Sequence, residues 1–286
     1  MDPRVAESLS CFDTISLDEL NVKAAMLERL DQKYIIPAAR LRPAFDAFRD
    51  IFDVLEIDGK RAFTYATRYF DDAERRAYYD HHQGRRKRCK VRVRHYVDAG
   101  FSYLEVKLKD IRGSTIKKRL KLPSRIDDLD QTCTDFIDRC HMDQYGVPLG
   151  RPQYPVIGMQ YERISLVARD GGERMTIDTR IDFFSRDLAL EVSPEMFIIE
   201  TKSAKGNGIA DAILRGLHLH PTQRCSKYCI GMAALGQVDR ANWFLPALRR
   251  LSLTENMPMA QPANLQAACP PRRTARSPPP ARHVDA

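Results

Sequence analysis

The feature that most constrains the fold of this chain is the stretch RRKRCKVRVRHY, residues 85–96, in which a cation occupies almost every second position. Side chains alternate between the two faces of a β-strand. One face of such a strand would carry Arg86, Arg88, Lys90, Arg92, Arg94 and Tyr96. The other face would carry Lys87, Cys89, Val91, Val93 and His95. Because neighbouring like charges repel one another, the charged face predicts contact with something anionic.

The same alternation recurs along the chain and predicts mostly antiparallel strands with a few helices. The predicted strands are residues 29–36, 61–71, 87–97, 102–110, 114–123, 156–168, 174–184 and 195–203. The predicted helices lie within 14–27, 38–56, 126–147, 209–235 and 238–251. In the strand at 174–184, the pattern places on the charged face Arg174, Thr176, Asp178, Arg180 and Asp182. The fold class is α+β, and seven or eight such strands can close into a barrel without exposed edges.

The next question is whether the charged faces point outward or inward. For one strand in isolation, a solvated outer face around an apolar core is the simpler interpretation, and a basic surface for nucleic acid is a second one. The charged faces also carry single carboxylates at matching places, namely Asp31, Glu105, Asp178 and Glu200. A nucleic-acid surface gains little from carboxylates that face the phosphates, whereas a site for a divalent cation needs carboxylate oxygens. We therefore predict a closed antiparallel β-barrel with a charged interior, surrounded by helices.

The distribution of charge favours one focused cationic site. The formal net charge of the 286-residue chain is +8. Residues 85–125 alone hold 15 Lys and Arg against Asp98, Glu105 and Asp110. Positive potential that is focused in a cleft attracts anions. The sequence therefore predicts an anionic ligand rather than a generally basic surface.

Composition and the lack of targeting signals indicate which class of protein this is and where it acts. Hydrophobic residues form 43% and charged residues 29% of the chain, as is typical of a folded domain. The apolar runs are too short to span a bilayer, and the N-terminus lacks a signal-peptide pattern. Seven cysteines without a Cys-x-x-Cys pair favour free thiols in a reducing cytoplasm. We divide the chain into a lead-in (1–24), a folded domain (25–256) and a disordered Pro/Arg-rich tail (257–286).

Three further features are predicted to be structural. His81 and His82 lie in a stretch that is predicted to be a loop between two strands. Trp243 is predicted to anchor the last helix in the core. Cys225 and Cys229 lie one helical turn apart without a second pair, which indicates packing rather than a zinc site.

Several short motifs occur in an order that is similar to that of a known family. They are QKYII, RYFD, VRVRHY, YLEVKLK, IKKRLKL, QYERISL, RMTIDTRIDF, IIETKS and CSKY, within roughly residues 25–235. The sequence resembles the catalytic domain of the vacuolar transporter chaperone complex, the VTC-type polyphosphate polymerase domain. This family belongs to the triphosphate tunnel metalloenzymes, which are related to CYTH proteins. The chain departs from the family at Asp31, where a glutamate is common.

The resemblance implies a role for each residue that matches a motif. The residues that would act in catalysis are Arg92, Arg94, Lys107, Arg163 and Lys227. Those that would bind the substrate phosphates are Lys33, Lys117, Arg119, Tyr161, Ser226 and Lys202. Mn²⁺ or Mg²⁺ would be held by Glu200, with Glu105 and Asp178 as helpers. Ser226 and Lys227 would lie on a helix at the mouth of the tunnel and contact terminal phosphates.

The activity implied by the resemblance is metal-dependent phosphoryl transfer on triphosphate or polyphosphate, foremost nucleotide-dependent synthesis of polyphosphate. If water is the nucleophile, the same site is an inorganic or nucleoside triphosphatase. A non-catalytic module that binds polyphosphate or nucleic acid is the third alternative. The implied partners are a nucleoside triphosphate and polyphosphate, and nucleic acid is disfavoured. A membrane partner stays open, and the sequence does not give the oligomeric state.

Overall fold

A computed structural model describes residues 3–23, 30–110, 114–204 and 206–256 of the protein. The strands are β1 (Thr14–Ile15), β2 (Leu30–Pro37), β3 (Phe52–Leu55), β4 (Ala62–Asp71), β5 (Arg88–Tyr96), β6 (Phe101–Lys109), β7 (Thr115–Leu122), β8 (Tyr154–Ala168), β9 (Arg174–Phe184), β10 (Ala189–Val192), β11 (Met196–Ser203) and β12 (Leu253–Asn256). The α-helices are α1 (Pro3–Ser10), α2 (Leu17–Lys23), α3 (Ala38–Phe48), α4 (Arg76–His82), α5 (Gln131–Tyr145), α6 (Ile209–Gly216), α7 (Lys227–Ala234) and α8 (Leu245–Leu251). The α+β prediction is confirmed, and every predicted strand is present to within two residues at each end.

Eight strands form one continuous antiparallel sheet in the order β7–β6–β5–β4–β8–β9–β11–β2. The short strands β3 and β10 pair with β8 and β9, and β1 and β12 extend them. Among the strands that the structure describes, no backbone pairing joins β7 to β2, so hydrogen bonds do not close the sheet. Both end strands nevertheless contribute to one cavity, through Thr115 of β7 and Asp31 of β2. The sheet therefore curls around a shared interior.

The apolar faces of the sheet point outward, and helices cover them. On the β5–β7 side, Cys133 and Ile137 of α5 belong to one buried cluster with Val91 and Leu104. On the opposite side, α1, α3 and α6 contribute to a second cluster over β2, β9 and β11. Burial of each large aliphatic side chain stabilises the fold by roughly 1.5–3 kcal/mol. The charged faces of the same strands point inward, as the sequence predicted.

A third cluster fills one end of the concave side of the sheet. It joins Tyr69, Tyr161 and Phe183 of the sheet to Tyr228 and Ile230 of α7. Residues of α4 and α8 pack on the same cluster. This cluster fixes the start of α7 against the interior, where the predicted charged residues lie.

A β-bulge in β9 overturns one predicted face. Arg180 has a φ of +50°, and the register between β8 and β9 shifts beside it. A bulge adds one residue to one strand, so the alternation of faces restarts after it. Asp178 contacts interior cations, and Ile181 then joins the interior cluster of Tyr161. Asp182 pairs instead with Glu191 of β10, so its predicted place beside Asp178 is wrong.

The structure departs from the prediction at two short elements and at Trp243. The helix predicted over 38–56 ends at Phe48, and Phe52–Leu55 forms β3. The predicted loop that contains His81 and His82 is α4. Trp243 is 47% exposed rather than a core anchor, and the Arg224 guanidinium lies 3.6 Å from its ring centroid.

The lead-in and the tail were predicted to flank the folded domain. Leu9 and Phe12 of the lead-in are buried in the cluster that contains α3. The lead-in contains two helices and a short strand where a single helix was predicted. The predicted tail, 257–286, lies outside the described residues. None of the helices that the structure describes is long and apolar enough to cross a membrane.

Candidate functional site

A cavity of about 420 Å³ occupies the concave side of the sheet. Strands β2, β4–β8 and β11 form its wall with residues 221–228, which include the first turn of α7. Of the described residues in this wall, ten are Lys or Arg, and the acidic ones are Asp31 and Glu200. Such an excess of positive charge in a low-dielectric wall attracts anions strongly.

The predicted site residues come together around this cavity. Those that line it are Lys33, Arg92, Arg94, Lys107, Tyr161, Arg163, Glu200, Ser226 and Lys227. The remaining ones form ion pairs in its wall: Glu105, Lys117, Arg119, Asp178 and Lys202. Strand alternation explains most of the arrangement, because each of these residues except Ser226 and Lys227 occupies an inward position of a strand. Ser226 and Lys227 come instead from the start of α7.

Glu105 is the centre of an ion cluster formed by three strands. Its Oε2 lies 2.5 Å from Nη2 of Arg92, its neighbour on β5. Its Oε1 lies 3.2 Å from Nε of Arg119 and 3.8 Å from Nζ of Lys117, both on β7. Burial opposes ionisation, but Arg92 and Arg94 outweigh it and hold the pKa of Glu105 well below its usual range. Glu105 is thus a permanent anion that fixes two guanidinium groups.

Asp178 forms a second ion cluster, on β9. Arg163 Nε lies 2.6 Å from Asp178 Oδ1 and Nη2 lies 2.8 Å from Oδ2, a bidentate pair. Lys227 donates to the same carboxylate. Burial would raise the pKa of Asp178, but Arg163 and Lys227 lower it to about 2. Asp178 therefore orients one arginine and one lysine toward the cavity.

Glu200 differs because its partners are lysines. Its Oε1 lies 2.6 Å from Lys202 Nζ and 3.5 Å from Lys33 Nζ. Burial would raise the pKa of Glu200, yet Lys202 and Lys33 hold it well below its usual range. Burial lowers the pKa of Lys202 to about 8, although Glu200 opposes the shift.

Two further lysines of the wall, Lys90 and Lys107, form no salt bridge with a carboxylate among the described residues, although Glu200 and Asp31 act on Lys107 at longer range. Lys90 Nζ lies 3.0 Å from Ser226 Oγ and 5.4 Å from the ring centroid of Tyr228. Burial lowers the pKa of Lys90, and burial lowers the pKa of Lys107 to about 8. An anion in the cavity would supply the missing counter-charge and raise both pKa values.

The start of α7 delivers two predicted residues to the cavity. Ser226 is the N-cap, and its Oγ accepts from the backbone N–H of Cys229. Lys227 is the first helical residue. The Tyr228 hydroxyl donates to the buried carboxylate of Asp71, which anchors this turn to β4. Both residues were predicted to lie on a helix, and the structure places Lys227 in the first turn of α7 and Ser226 directly before it.

Comparison with known proteins identifies the family. A family model of the VTC domain matches residues 28–236, well over half of the chain. The chain belongs to the VTC domain family. The resemblance seen in the motifs is therefore confirmed. No curated protein sequence matches the chain.

Several solved structures are similar to this VTC domain. A putative adenylate cyclase from Bacillus halodurans has 8% identity and a TM-score of 0.44, with 70% of this chain and 95% of that chain covered. A putative adenylyl cyclase from Hippeastrum, described as having a dominant triphosphatase activity, has 14% identity and a TM-score of 0.43, with 73% and 96% covered. A protein from Pyrococcus horikoshii has 13% identity and a TM-score of 0.42, with 73% and 99% covered.

The carboxylates of this VTC domain suit only one kind of metal site. No group of three or more His, Cys, Asp or Glu side chains that could hold a metal converges within the described parts of the chain. Glu200 and Asp31 both face the cavity, and Mg²⁺ typically uses one or two carboxylates together with substrate phosphates. These two residues fit such an ion. Glu105 and Asp178 do not line the cavity and are held by arginines in its wall, so their helper role stays a prediction.

No role was predicted for several residues that line the cavity. Tyr69 accepts from Arg92 Nη1 at 3.0 Å, and Lys90 contacts Ser226. Lys90 belongs to the alternating run of β5, so its inward position was predictable. His81 also lines the cavity, where burial lowers its pKa and leaves the ring neutral. His81 carried no usable signal, because its orientation depends on α4.

Proposed function

We propose that this VTC domain binds a nucleoside triphosphate in its cationic cavity and transfers the γ-phosphoryl group to a terminal oxygen of a polyphosphate chain. The β–γ phosphoanhydride bond breaks, and the nucleoside diphosphate leaves. One observation carries the proposal: ten cations and two carboxylates among the described residues line one cavity of a VTC domain. Phosphoryl transfer needs little covalent chemistry from the protein, because positioning and charge neutralisation supply most of the catalysis.

Arg92, Arg94 and Arg163 are proposed to hold the triphosphate of the nucleotide, with Arg92 nearest to the phosphoryl group that is transferred. Guanidinium groups bind phosphate oxygens bidentately and remain charged at every physiological pH. Tyr161 accepts from Arg94 Nη2 at 2.7 Å, and Asp178 fixes Arg163. Donors that are held in advance lose less entropy when the substrate arrives.

The lysines are proposed to bind the rest of the phosphate chain. Lys33 and Lys107 face the cavity, and Lys117, Arg119 and Lys202 contribute positive charge from its wall. Ser226 and Lys227 at the start of α7 would contact a terminal phosphate. A lysine binds phosphate as a point charge and tolerates many orientations, which suits a chain that moves through the site.

We further propose that the reaction depends on Mn²⁺ or Mg²⁺ held by Glu200, with Asp31 beside it. Such an ion would neutralise phosphate oxygens and orient them for in-line displacement. Lys33 and Lys202 would then release part of their contact with Glu200 and turn toward phosphate.

Closure of the sheet between β7 and β2 into a tunnel is part of the proposal. A closed tunnel would exclude water from the γ-phosphoryl group and favour a phosphate end as nucleophile. The six described cysteines are free, which supports a cytoplasmic site of action. Polyphosphate and nucleoside triphosphate are the proposed partners.

The test is a product assay with purified protein, ATP and Mn²⁺. We expect polyphosphate to form, and Glu200→Gln to lower its rate at least about 100-fold, as loss of one preorganised charge in an active site commonly does. The matched control is Glu191→Gln, on the outer face of the sheet, which should leave the rate unchanged. Orthophosphate as the only product would make the protein a triphosphatase. Binding of polyphosphate without turnover would make it a non-catalytic module.

A further inference from the structure

The interior wall changes character along two neighbouring strands. From its beginning to its end, the inward face of β5 carries Arg88, Lys90, Arg92, Arg94 and Tyr96. The inward face of β6 carries Phe101, Tyr103, Glu105, Lys107 and Lys109. The antiparallel register places Tyr96 opposite Phe101, and Arg94 opposite Tyr103. Both strands therefore change from charged to aromatic toward the same end, at Tyr96 on β5 and one residue pair sooner, at Tyr103, on β6. At the level of Tyr96 and Phe101 both strands are aromatic.

Aromatic side chains continue this level across four adjacent strands. Tyr161 of β8 lies opposite Tyr65 of β4, Tyr65 opposite Tyr96, and Tyr96 opposite Phe101. We call these four residues the aromatic row. The rings of Tyr65 and Tyr161 stack with centroids 5.6 Å apart and an interplanar angle of 4°. The rings of Tyr96 and Phe101 stack at 4.7 Å and 27°.

The aromatic row runs from the cavity toward solvent. Tyr161 is 1% exposed and lines the cavity, whereas Tyr65, Tyr96 and Phe101 are only partly buried. Aromatic pairs between strands can simply stabilise a sheet. A purely stabilising row would favour full burial beneath a helix, as on the outer face of the same strands. Three rings of this row, those of Tyr65, Tyr96 and Phe101, instead keep part of their surface accessible.

Guanidinium groups join the aromatic row to the charged part of the wall. Arg94 and Arg163 lie 5.3 Å and 5.4 Å from the ring centroid of Tyr65. Arg119 lies 5.6 Å from the ring centroid of Tyr103, next to the row. Phosphate-binding arginines and accessible rings are thus immediate neighbours.

We propose that the aromatic row binds the base of a nucleoside triphosphate whose phosphates occupy the cationic cavity. This inference rests on the proposed function and adds the element that selects a nucleotide over inorganic phosphates. The base has an aromatic face for stacking, and the triphosphate needs cations. The wall has accessible aromatic rings next to a row of cations, which matches the base and the triphosphate along the length of a nucleotide.

The geometry also gives the nucleotide a direction. Arg92 and Tyr96 are four residues apart on β5, roughly 13 Å at about 3.3 Å per residue. An extended nucleotide has a comparable length from its base to its outer phosphates. The base would lie at Tyr96 and Phe101, and the γ-phosphate would point toward Lys90 and Ser226. Stacking accepts every base, so we expect purines to bind more tightly than pyrimidines without strict selection.

The test compares ATP with inorganic tripolyphosphate by calorimetry in buffer without divalent ions. Tripolyphosphate carries more negative charge, so cations alone would make it the tighter ligand. We expect wild-type protein to bind ATP more tightly. Tyr96→Leu and Phe101→Leu should each weaken ATP about tenfold or more and change tripolyphosphate less than about twofold. The matched control is Phe136→Leu on α5, outside the cavity, which should change neither.

Each other result overturns the inference in a distinguishable way. Tripolyphosphate binding at least as tight as ATP binding removes the base site and leaves the phosphate cavity intact. Equal weakening of both ligands in the variants assigns the aromatic row to the fold. Binding of neither ligand by wild-type protein refutes the proposed function as well. If a variant does not fold, the affinities of the wild-type protein test the inference. The inference then requires ATP and GTP to bind more tightly than CTP and UTP, and all four nucleotides to bind more tightly than tripolyphosphate.

Discussion

Two carboxylates of this protein occur in the same E-x-K motif, in YLEVKLK and IIETKS, yet they lie in different surroundings. Glu105 of β6 has an arginine directly opposite on each neighbouring strand, Arg92 and Arg119. It is 1% exposed and its charge is enclosed by the wall. Glu200 of β11 is 13% exposed and faces the cavity.

The cross-strand neighbours of Glu200 explain its different surroundings. Lys33 lies opposite on β2 and Thr176 opposite on β9, so no arginine flanks it. Lys202, two residues along the same strand, is its nearest cation. A guanidinium stays charged under all conditions, whereas a buried ammonium group changes its pKa with its surroundings. Glu105 is therefore a fixed support, whereas Glu200 is an adjustable site.

We expect the largest loss of stability when the charge of Glu105 is removed. Glu105→Gln leaves Arg92 and Arg119 without their counter-charge, and removing one partner of a buried ion pair costs about 3–5 kcal/mol. We expect the free energy of unfolding in urea to fall by about 3 kcal/mol, because Arg119 is partly exposed. Glu200→Gln should lower it by less than about 1 kcal/mol, since its lysines can turn to solvent or lose their protons. An equal fall in the free energy of unfolding of the two variants would contradict the distinction between a fixed Glu105 and an adjustable Glu200.

A smaller effect is expected on the affinity for phosphate as the pH changes, because the buried lysines of the cavity wall can lose their protons. Burial lowers the pKa of Lys107 to about 8, of Lys117 to about 7 and of Lys202 to about 8. A bound phosphate raises these pKa values, so the complex keeps protons that the free protein loses. Affinity for tripolyphosphate should be greatest below about pH 7 and fall above it, by about tenfold per pH unit for each ammonium group.

Calorimetry at pH 7, 8 and 9 measures that fall. The control is Lys107→Arg, which keeps its charge over the whole range. Titration of the ligand itself is common to both proteins, so only the difference between their slopes reports Lys107. The variant should show the shallower slope. The same slope in both proteins would mean that Lys107 is fully protonated before the ligand binds.

The strands and their inward faces were predictable because alternation with a period of two is visible within a single strand. Hydrophobic residues of β5, β6 and β7 alternate with cations, and helices cover the hydrophobic side. The bulge at Arg180 was not predictable, since no glycine or turn residue announces a positive φ there. One inserted residue then exchanged the faces of Ile181 and Asp182.

The roles of the two E-x-K glutamates were only partly predictable. Glu105 and Glu200 were both predicted to face inward, which is confirmed by their contacts. Their partners depend on the register between strands that are far apart in sequence, which a local motif does not contain. His81 was missed for a related reason, since a seven-residue helix with mixed polarity has no clear periodic signal.

The smallest change in stability is expected when one of the two arginines that contact Glu105 is replaced. Arg119 is 43% exposed and 3.2 Å from the carboxylate, whereas Arg92 is 20% exposed and 2.5 Å from it. Exposed ion pairs contribute about 0–1 kcal/mol, because water screens the charges and the side chain loses entropy. Arg119→Gln should therefore lower the free energy of unfolding by at most about 1 kcal/mol, and Arg92→Gln by more. Urea unfolding of both variants gives the comparison. If Arg119→Gln destabilises the protein as much as Glu105→Gln does, the support of Glu105 lies on the exposed side of the wall, and the distinction between a fixed and an adjustable carboxylate loses its structural basis.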